Sequence, residues 1–268
     1  MSSGQKKAIK LYWWNNLPNF GDELSPLIVE YVSGRSVEWA SARECELFSL
    51  GSIMTQVRRA NAVPRESDRP WIWGTGSIGP HRTDFIPNVS FAAVRGPITA
   101  CLMGNDSLPC GDPGLLVGEL FEGKLPKRKK FKIGVILHHS QTLSVAGASY
   151  VEQTRNARFI NVKRLNAFDV VSQISECEFV MSSSLHGLIV ADALRIPNIW
   201  LDPRDIHGTA RFKFYDYAAS IGRAMGVPAN IEEYINNSTK LDDVDTSYFP
   251  KLAKVTEALH RSFPENLS

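Results

Sequence analysis

The sequence is poor in cysteine, and the four cysteines that it has are scattered along the chain. Cys45, Cys101, Cys110 and Cys177 include no C-x-x-C pair and match no zinc-binding spacing. This pattern argues against a disulfide framework and a structural zinc site. We expect the cysteines to behave as small apolar residues in a reducing compartment.

Long apolar runs are also absent. No stretch approaches the roughly 20 apolar residues that a membrane-spanning helix needs. The polar residues Met1 to Lys7 lead directly into a strand pattern, which is unlike a signal peptide. We therefore expect a cytoplasmic protein.

The charge of the chain is nearly balanced, with 30 Lys and Arg against 28 Asp and Glu, for a net charge of +2. A general nucleic-acid binder would carry a dominant basic surface, so we predict no nucleic-acid partner. One basic cluster, residues 124–132, could lie on an anionic membrane surface at the inner face of the membrane, or it could be a solvated connector. Nothing in the sequence indicates an oligomeric state.

The remaining pattern is an alternation of short apolar runs with helical stretches, which is typical of an α/β fold with parallel sheets. We predict strands over 9–14, 46–50, 70–73, 89–94, 133–137, 159–162, 178–182 and 198–201. We predict helices over 22–33, 97–103, 167–175, 188–194, 214–225 and 248–263, with Asp22 capping the first and Gly34 ending it.

The length predicts two domains of roughly 120 to 130 residues each. We divide the chain into an N-terminal Rossmann-like domain over 1–123, a basic linker over 124–132 and a C-terminal Rossmann-like domain over 133–268. The last helix could pack back on the N-terminal domain.

The most informative junction follows the predicted strand 178–182. Three serines, Ser182 to Ser184, precede Leu185, His186 and Gly187 at the start of an apolar helix. Unpaired N–H groups and the macrodipole at a helix N-terminus attract anions, and His186 could move protons beside one. The alternative is a serine N-cap with a histidine that only packs.

Two more strand ends carry unusual residues. Asn19, Gly21 and Asp22 follow the first strand, where Asn19 or Asp22 could face a ligand hydroxyl or form a plain capped loop. Arg95 follows the strand 89–94 and could bind a carboxylate or phosphate, or form a structural salt bridge. Ligands of open parallel sheets gather beyond the carboxyl ends of the strands, so the three junctions favour a cleft between domains.

A fourth candidate is the loop after the strand 198–201, which gathers several cations and hydrogen-bonding groups. These are Arg204, His207, Thr209, Arg211 and Lys213. The loop could bind an anionic ligand or be a solvated charged face.

Two patterns are set aside. Gly74 to Gly79 matches G-x-G-x-x-G, but no helix pattern follows it, so we predict no dinucleotide site. His138 and His139 are adjacent and would face opposite sides of a strand, so they cannot share a metal, and we expect none; one of them could line the cleft while the other is structural.

Four short motifs in order resemble the polysaccharide pyruvyl transferase family, especially its bacterial exopolysaccharide members. They are Asn19 to Asp22, Arg95 to Thr99, Gly111 to Gly114, and Ser183 to Gly187 followed by Ala191 to Leu194.

The resemblance implies two Rossmann-like domains in a GT-B-like arrangement, with phosphoenolpyruvate as co-substrate and no further cofactor. It implies roles in catalysis for His186 and Arg95. We assign donor binding to Ser183, Ser184, Gly187, Arg211 and Lys213, and acceptor binding to Asn19, Gly21 and Asp22. Many members carry arginine where this chain has Ser184, and Arg211 or Lys213 could compensate.

We therefore expect an enzyme that places the pyruvyl group of phosphoenolpyruvate on two hydroxyls of a sugar in an exopolysaccharide repeat unit, with release of phosphate. The acceptor could be a lipid-linked unit. Two alternatives stay open. One is a nucleotide-sugar glycosyltransferase on the same architecture. The other is a sugar- or anion-binding module without catalysis.

Overall fold

The computed structural model describes residues 7–138, 156–163, 166–202, 211–230 and 243–268. It contains two separate sheets whose strands are all parallel, with helices packed against them. The predicted α/β class with parallel sheets is confirmed. Apolar strands alternate with helices in such a fold because a parallel sheet is covered on both faces.

The N-terminal sheet has five strands in the order β2-β1-β3-β4-β5. Its strands are β1 Ile9–Tyr12, β2 Val37–Trp39, β3 Leu47–Phe48, β4 Trp71–Trp73 and β5 Ser90–Ala93. The strand order reverses between β1 and β3, so the loops that follow these two strands diverge and leave a crevice at their carboxyl ends.

The C-terminal sheet has four strands in the order β7-β6-β8-β9. Its strands are β6 Phe131–Ile136, β7 Ala157–Ile160, β8 Cys177–Ser182 and β9 Asn198–Trp200. The order again reverses after the first strand, so a second crevice opens between β6 and β8.

Eight α-helices belong to the part of the chain that the structure describes. They are α1 Phe20–Ser33, α2 Met54–Asn61, α3 Pro97–Leu102, α4 Val117–Leu120, α5 Ala167–Ser175, α6 Leu185–Ala193, α7 Phe212–Ser220 and α8 Phe249–Ser262. Short 3-10 helices lie at Ile86–Asn88, Pro113–Leu116 and Glu265–Leu267.

Several predicted bounds were wrong by one turn or less. The first helix begins at Phe20 and not at Asp22, because the carbonyl of Asn19 accepts the N–H groups of Asp22 and Glu23, which makes Asn19 the N-cap. Gly34 ends α1 in the left-handed conformation, as predicted. Strand β6 begins at Phe131, so the last two residues of the predicted basic linker belong to the sheet.

Helix α6 begins at Leu185, three residues earlier than predicted, and is buried from Leu185 to Asp192. Such a helix has no solvent face, so its one carboxylate needs internal partners. Asp192 accepts hydrogen bonds from Tyr217 Oη at 2.8 Å, Tyr248 Oη at 2.7 Å and Asn198 Nδ2 at 2.6 Å. These bonds tie α6 to β9, to α7 and to the start of α8.

The largest hydrophobic cluster contains residues of both halves, including Leu24 and Ile28 of α1 with Val170 of α5 and Ile189 of α6. Gly114 lies against α6 so closely that an added Cβ would come within 2.8 Å of Ile189. The two halves therefore share a core.

The last helix, α8, contacts the N-terminal half. Trp73 of β4 donates its indole N–H to the carbonyl of Leu259 at 3.0 Å, and its ring meets Phe263 edge-on at 4.9 Å. At the surface, His260 Nε2 lies 2.7 Å from Glu119. No described helix combines the length and the apolar character that crossing a bilayer requires.

Candidate active site

A cavity of about 190 Å³ lies between the carboxyl ends of the two sheets. Its wall is built from the loops that follow β1 and β3 on one side and β6 and β8 on the other. The lining residues are Trp14, Asn19, Asp22, Ser52, Ile53, Gln56, His138, Ser184, Leu185, His186 and Lys213. The crevices of the two sheets thus face each other across one cavity.

His186 lies in the first turn of α6 and is 8% exposed. Burial, together with the charges of Lys213 and Arg95, lowers the pKa of His186 to about 3. The imidazole is therefore neutral near pH 7. Its Nε2 atom is buried and has no hydrogen-bond partner among the described residues, although it belongs to a residue that lines the cavity. A neutral imidazole with a free nitrogen can accept a proton from a ligand hydroxyl.

Two glycines that were predicted to contact ligands lie behind the cavity wall. Gly21 packs directly on the imidazole of His186, and a Cβ at position 21 would overlap that ring. Gly187 packs on Ser182 of β8 and Ile136 of β6, where a Cβ would overlap Ser182 Oγ. Both glycines let backbone approach closely, and Gly21 fixes the space in which His186 can move.

Asp22 and Asn19 line the cavity from the start of α1. Asn19 Nδ2 donates a hydrogen bond of 2.6 Å to Asp22 Oδ2. Burial raises the pKa of Asp22 to about 6, against the lowering effects of the Asn19 hydrogen bond and of Lys213. A carboxyl group with such a pKa can exchange protons near neutral pH.

Lys213 reaches the cavity from the first turn of α7. Burial and the nearby Arg95 lower its pKa to about 8, while Asp22 raises it. Within the described residues Lys213 has no ion-pair partner inside 4 Å. The ammonium group is therefore available to an anion that enters the cavity.

Arg95 lies directly behind the wall and is fully buried. Its Nε donates to Asp216 Oδ2 at 3.0 Å, one terminal nitrogen donates to Ser52 Oγ at 2.6 Å, and the other donates to the Ser77 carbonyl at 2.5 Å. Gly76 leaves room for the guanidinium, because an added Cβ at position 76 would overlap it. Direct contact between Arg95 and a donor stays a prediction; in the structure its charge acts on His186 and Lys213 from behind Ser52.

Asp216 of α7 is also fully buried and completes this arrangement. Besides Arg95, it accepts the backbone N–H of Thr99 at 2.9 Å and the Thr99 hydroxyl at 2.6 Å. It therefore caps the first turn of α3 from the other half of the chain. The same helix that carries Asp216 carries Lys213 one turn earlier.

The other predicted donor residues are distributed unequally. Ser184 lines the cavity as the N-cap of α6, whereas Ser183 is buried and accepts the backbone N–H of His138 at 3.0 Å. Arg211 is exposed and lies 3.8 Å from Asp202. Arg204, His207 and Thr209 lie outside the described residues, as does His139.

Sequence reasoning missed several lining residues, namely Trp14, Ser52, Ile53 and Gln56, whereas His138 is one of the two adjacent histidines of which one was expected to line the cleft. Ser52 and Ile53 lead into α2, whose first turn carries Gln56, after the shortest strand of the N-terminal sheet. The Ser-Leu-Gly-Ser run over 49–52 was the available signal for a turn at a strand end. In the described residues no group of three or more His, Cys, Asp or Glu side chains is placed to hold a metal.

Comparison with known proteins gives a family match. The model of the family described as polysaccharide pyruvyl transferase matches residues 19–205. This range begins at Asn19 and includes Arg95 and His186.

Two curated relatives are similar over long stretches. Succinoglycan biosynthesis protein ExoV of Rhizobium meliloti is 26% identical over 225 residues, which are 79% of this chain and 64% of that protein. Uncharacterized protein L143 of Acanthamoeba polyphaga mimivirus is 27% identical over 162 residues, 56% of this chain and 54% of that protein. The chain thus spans less than two thirds of the length of either relative.

Among solved structures, a functionally uncharacterized protein, KP1_0663 of Klebsiella pneumoniae, aligns with a TM-score of 0.46 and 13% identity, over 82% of this chain and 93% of that one. That level of similarity supports no statement about this chain. The family model, in contrast, matches most of the sequence, and the resemblance of the four motifs is confirmed: the chain belongs to the polysaccharide pyruvyl transferase family.

Proposed function

We propose that this protein transfers the pyruvyl group of phosphoenolpyruvate to two hydroxyls of a sugar in an exopolysaccharide repeat unit, forming a pyruvate ketal and releasing phosphate. One observation carries the proposal. Neutral His186 and the cation Lys213, from the C-terminal half, face Asp22 and Asn19, from the N-terminal half, across one small cavity.

The donor carries a carboxylate and a phosphate, so it needs cations and amide donors. Lys213 supplies an ammonium group in the cavity, and the N-terminus of α6 begins at Ser184 on the same wall. The guanidinium of Arg95 adds positive potential from behind Ser52. We assign the donor to this side, with Lys213 in the place of the arginine that many members carry at the position of Ser184.

The reaction needs four changes of bonding. A proton adds to the methylene carbon of the donor and makes it a methyl group, and a sugar hydroxyl attacks the central carbon. The bond from that carbon to the phosphate oxygen then breaks, and a second hydroxyl attacks the same carbon. The two hydroxyls lose two protons in total. One makes up for the proton that the methyl group gained, and the other leaves with phosphate.

The site has a group that can accept a hydroxyl proton. His186 is neutral near pH 7 and can accept the proton of the attacking hydroxyl. Because a bound trianion favours the charged imidazole, the donor raises the affinity of His186 for that proton. We assign to Asp22, which is hydrogen-bonded to Asn19, the orientation of the acceptor hydroxyls. Lys213 and Arg95 offset the charge that builds on the leaving phosphate.

The size of the cavity favours this reaction over glycosyl transfer from a nucleotide sugar. Sites for ligands of drug size usually measure about 300–1,000 Å³, whereas this cavity measures about 190 Å³. It suits a three-carbon phosphate and the edge of one sugar ring.

The finer architecture belongs to the same proposal. We propose that the two parallel sheets, which share the order 2-1-3-4 of their first four strands, are Rossmann-like domains in a GT-B-like arrangement. We also propose that the protein acts in the cytoplasm on an acceptor that is lipid-linked at the inner face of the membrane.

A phosphate-release assay tests the function. Wild type should release phosphate from phosphoenolpyruvate only when a lipid-linked oligosaccharide acceptor is added, and His186→Ala should abolish the release with an unchanged circular dichroism spectrum. His260→Ala, at a surface position, serves as the matched control. Unchanged release in His186→Ala refutes the role of His186, and stabilisation by a nucleoside diphosphate but not by phosphoenolpyruvate in a thermal shift refutes the function.

A further inference from the structure

The two walls of the cavity differ in charge. The C-terminal half contributes Lys213 and the α6 N-terminus, whereas Arg95 belongs to the N-terminal half, where it lies behind Ser52 and is paired with Asp216. Of the described residues that line the cavity from the N-terminal half, Asp22 alone is ionisable, and it is an acid. A trianionic donor is therefore drawn to Lys213 and repelled by Asp22. The second wall suits a neutral polar ligand.

Gln56 gives this second wall an unsatisfied polar group. It lies in the first turn of α2, and its carboxamide oxygen is buried with no hydrogen-bond partner among the described residues. Leaving a buried polar atom unpaired costs about 1–3 kcal/mol. Because Gln56 lines the cavity, a hydroxyl of a bound ligand can pair with its carboxamide. A carboxamide both donates and accepts, as a sugar hydroxyl does.

Trp14 gives the same wall an apolar face. It follows β1, is half-buried, and lines the cavity at the start of the exposed stretch 15–18. A pyranose ring has an apolar face of C–H groups and a rim of hydroxyls. An indole ring can cover this apolar face. The tryptophan side chain offers a large flat surface and loses little conformational freedom on binding.

We propose that Trp14 and Gln56 form the subsite that binds the acceptor as a pyranose ring, stacked on Trp14 and hydrogen-bonded to Gln56, with two of its hydroxyls directed at Asp22 and His186. This inference rests on the proposed function for the identity of the donor, but the sugar subsite is a separate claim. Neither residue was assigned a role by the sequence motifs.

The experiment measures sugar binding without turnover. Saturation-transfer difference NMR with methyl α- and β-glucopyranoside, galactopyranoside and mannopyranoside compares wild type with Trp14→Ala and Gln56→Ala. We expect at least one pyranoside to bind wild type. Trp14→Ala and Gln56→Ala should each weaken this binding at least tenfold, whereas Trp14→Phe should retain most of it. Phosphoenolpyruvate should raise the thermal midpoint of all four proteins equally.

Two matched controls separate the subsite from general damage. Trp39→Ala removes an exposed indole that donates to the Trp13 carbonyl at 3.2 Å but does not line the cavity. Thr55→Ala removes the neighbour of Gln56 on α2. Both controls should bind the pyranoside as wild type does.

Three results overturn the subsite. Either no pyranoside binds wild type, or the Trp14→Ala and Gln56→Ala variants bind the pyranoside as wild type does, or these variants lose their binding of phosphoenolpyruvate together with that of the pyranoside. If both variants lose the pyranoside but phosphoenolpyruvate stabilises none of the proteins, the subsite stands and the proposed donor is wrong.

Discussion

The guanidinium of Arg95 and the carboxylate of Asp216 form an ion pair of 2.9 Å in which both side chains are fully shielded from solvent. Arg95 follows β5 in the N-terminal half, and Asp216 lies on α7 in the C-terminal half. Gly96 allows this approach, because a Cβ there would overlap the backbone of Asp216. The pair therefore connects the two halves directly behind the candidate active site.

The first prediction concerns the stability of this pair. Removing one partner of a buried ion pair leaves an uncompensated charge and costs about 3–5 kcal/mol. We expect Arg95→Met and Asp216→Asn each to lower the free energy of unfolding by about this amount in urea titrations. The double variant should lose clearly less than the sum. Arg82→Met at the exposed Arg82–Asp84 pair is the control and should change stability by less than about 0.5 kcal/mol; strict additivity at 95 and 216 would contradict the coupling.

A second prediction follows from the contact between Gly21 and His186. Gly21→Ala places a methyl group in the volume of the imidazole, so we expect it to displace the ring. Donor-dependent phosphate release should fall at least 100-fold. The overpacking should also destabilise the fold by about 1–3 kcal/mol. In a His186→Ala background the space is free, and the same substitution should cost little stability. Gly226→Ala, where an added Cβ meets nothing within 4 Å, is the control. Equal destabilisation of both backgrounds would disprove the steric link.

The third prediction is a bell-shaped pH dependence of kcat/KM. Activity should fall below about pH 6, where Asp22 takes up a proton, and above about pH 8, where Lys213 loses one. We expect Asp22→Asn to remove its share of the acidic limb and Lys213→Arg to move the basic limb to higher pH. The phosphate of the donor also titrates near pH 6, so a limb that persists unchanged in Asp22→Asn belongs to the donor and contradicts the role of Asp22.

The fourth prediction is that Lys213 lowers the stability of the free protein. The folded state lowers its pKa from 10.5 to about 8, which corresponds to a cost of about 3 kcal/mol for the charged form. The cost is fully present below pH 8 and disappears as the pH rises to 10.5, because the unfolded chain then binds more protons than the folded one. We expect Lys213→Met to raise the urea midpoint at pH 7 and to lose this advantage above pH 10, while the exposed Lys254→Met has no such effect. A lower midpoint for Lys213→Met at pH 7 would contradict the prediction.

The sequence predicted eight of the nine described strands and most helices because their apolar runs end at Gly, Pro and Ser, and these local signals survive in the fold; it missed the short edge strand β2. It misplaced helix starts for a local reason as well. At Asn19 the backbone carbonyl, and not an Asp22 side chain, begins the hydrogen bonding of α1. Likewise, Leu185 and His186 belong to α6 itself, since Ser184 already has the extended conformation of an N-cap.

Contacts between distant residues were not predictable from one sequence. Arg95 and Asp216 are 121 positions apart, and no sequence pattern around either residue indicates that the other is its partner. An Asp on a helix with apolar neighbours, Phe214 and Tyr217, was the one signal that Asp216 has a buried partner. Gln56 gave no signal, because a single amide on an amphipathic helix is ordinary at a surface.

The division of the cavity between the halves has a consequence for engineering. Each half brings its own set of cavity-lining side chains. Under the proposed function, we expect a hybrid that joins the residues before β6 of one homologue to the remainder of another to exchange recognition of the acceptor and to keep recognition of the donor. Such a graft has to carry compatible side chains at positions 95 and 216, because the seam between the parental pieces passes through that charge pair.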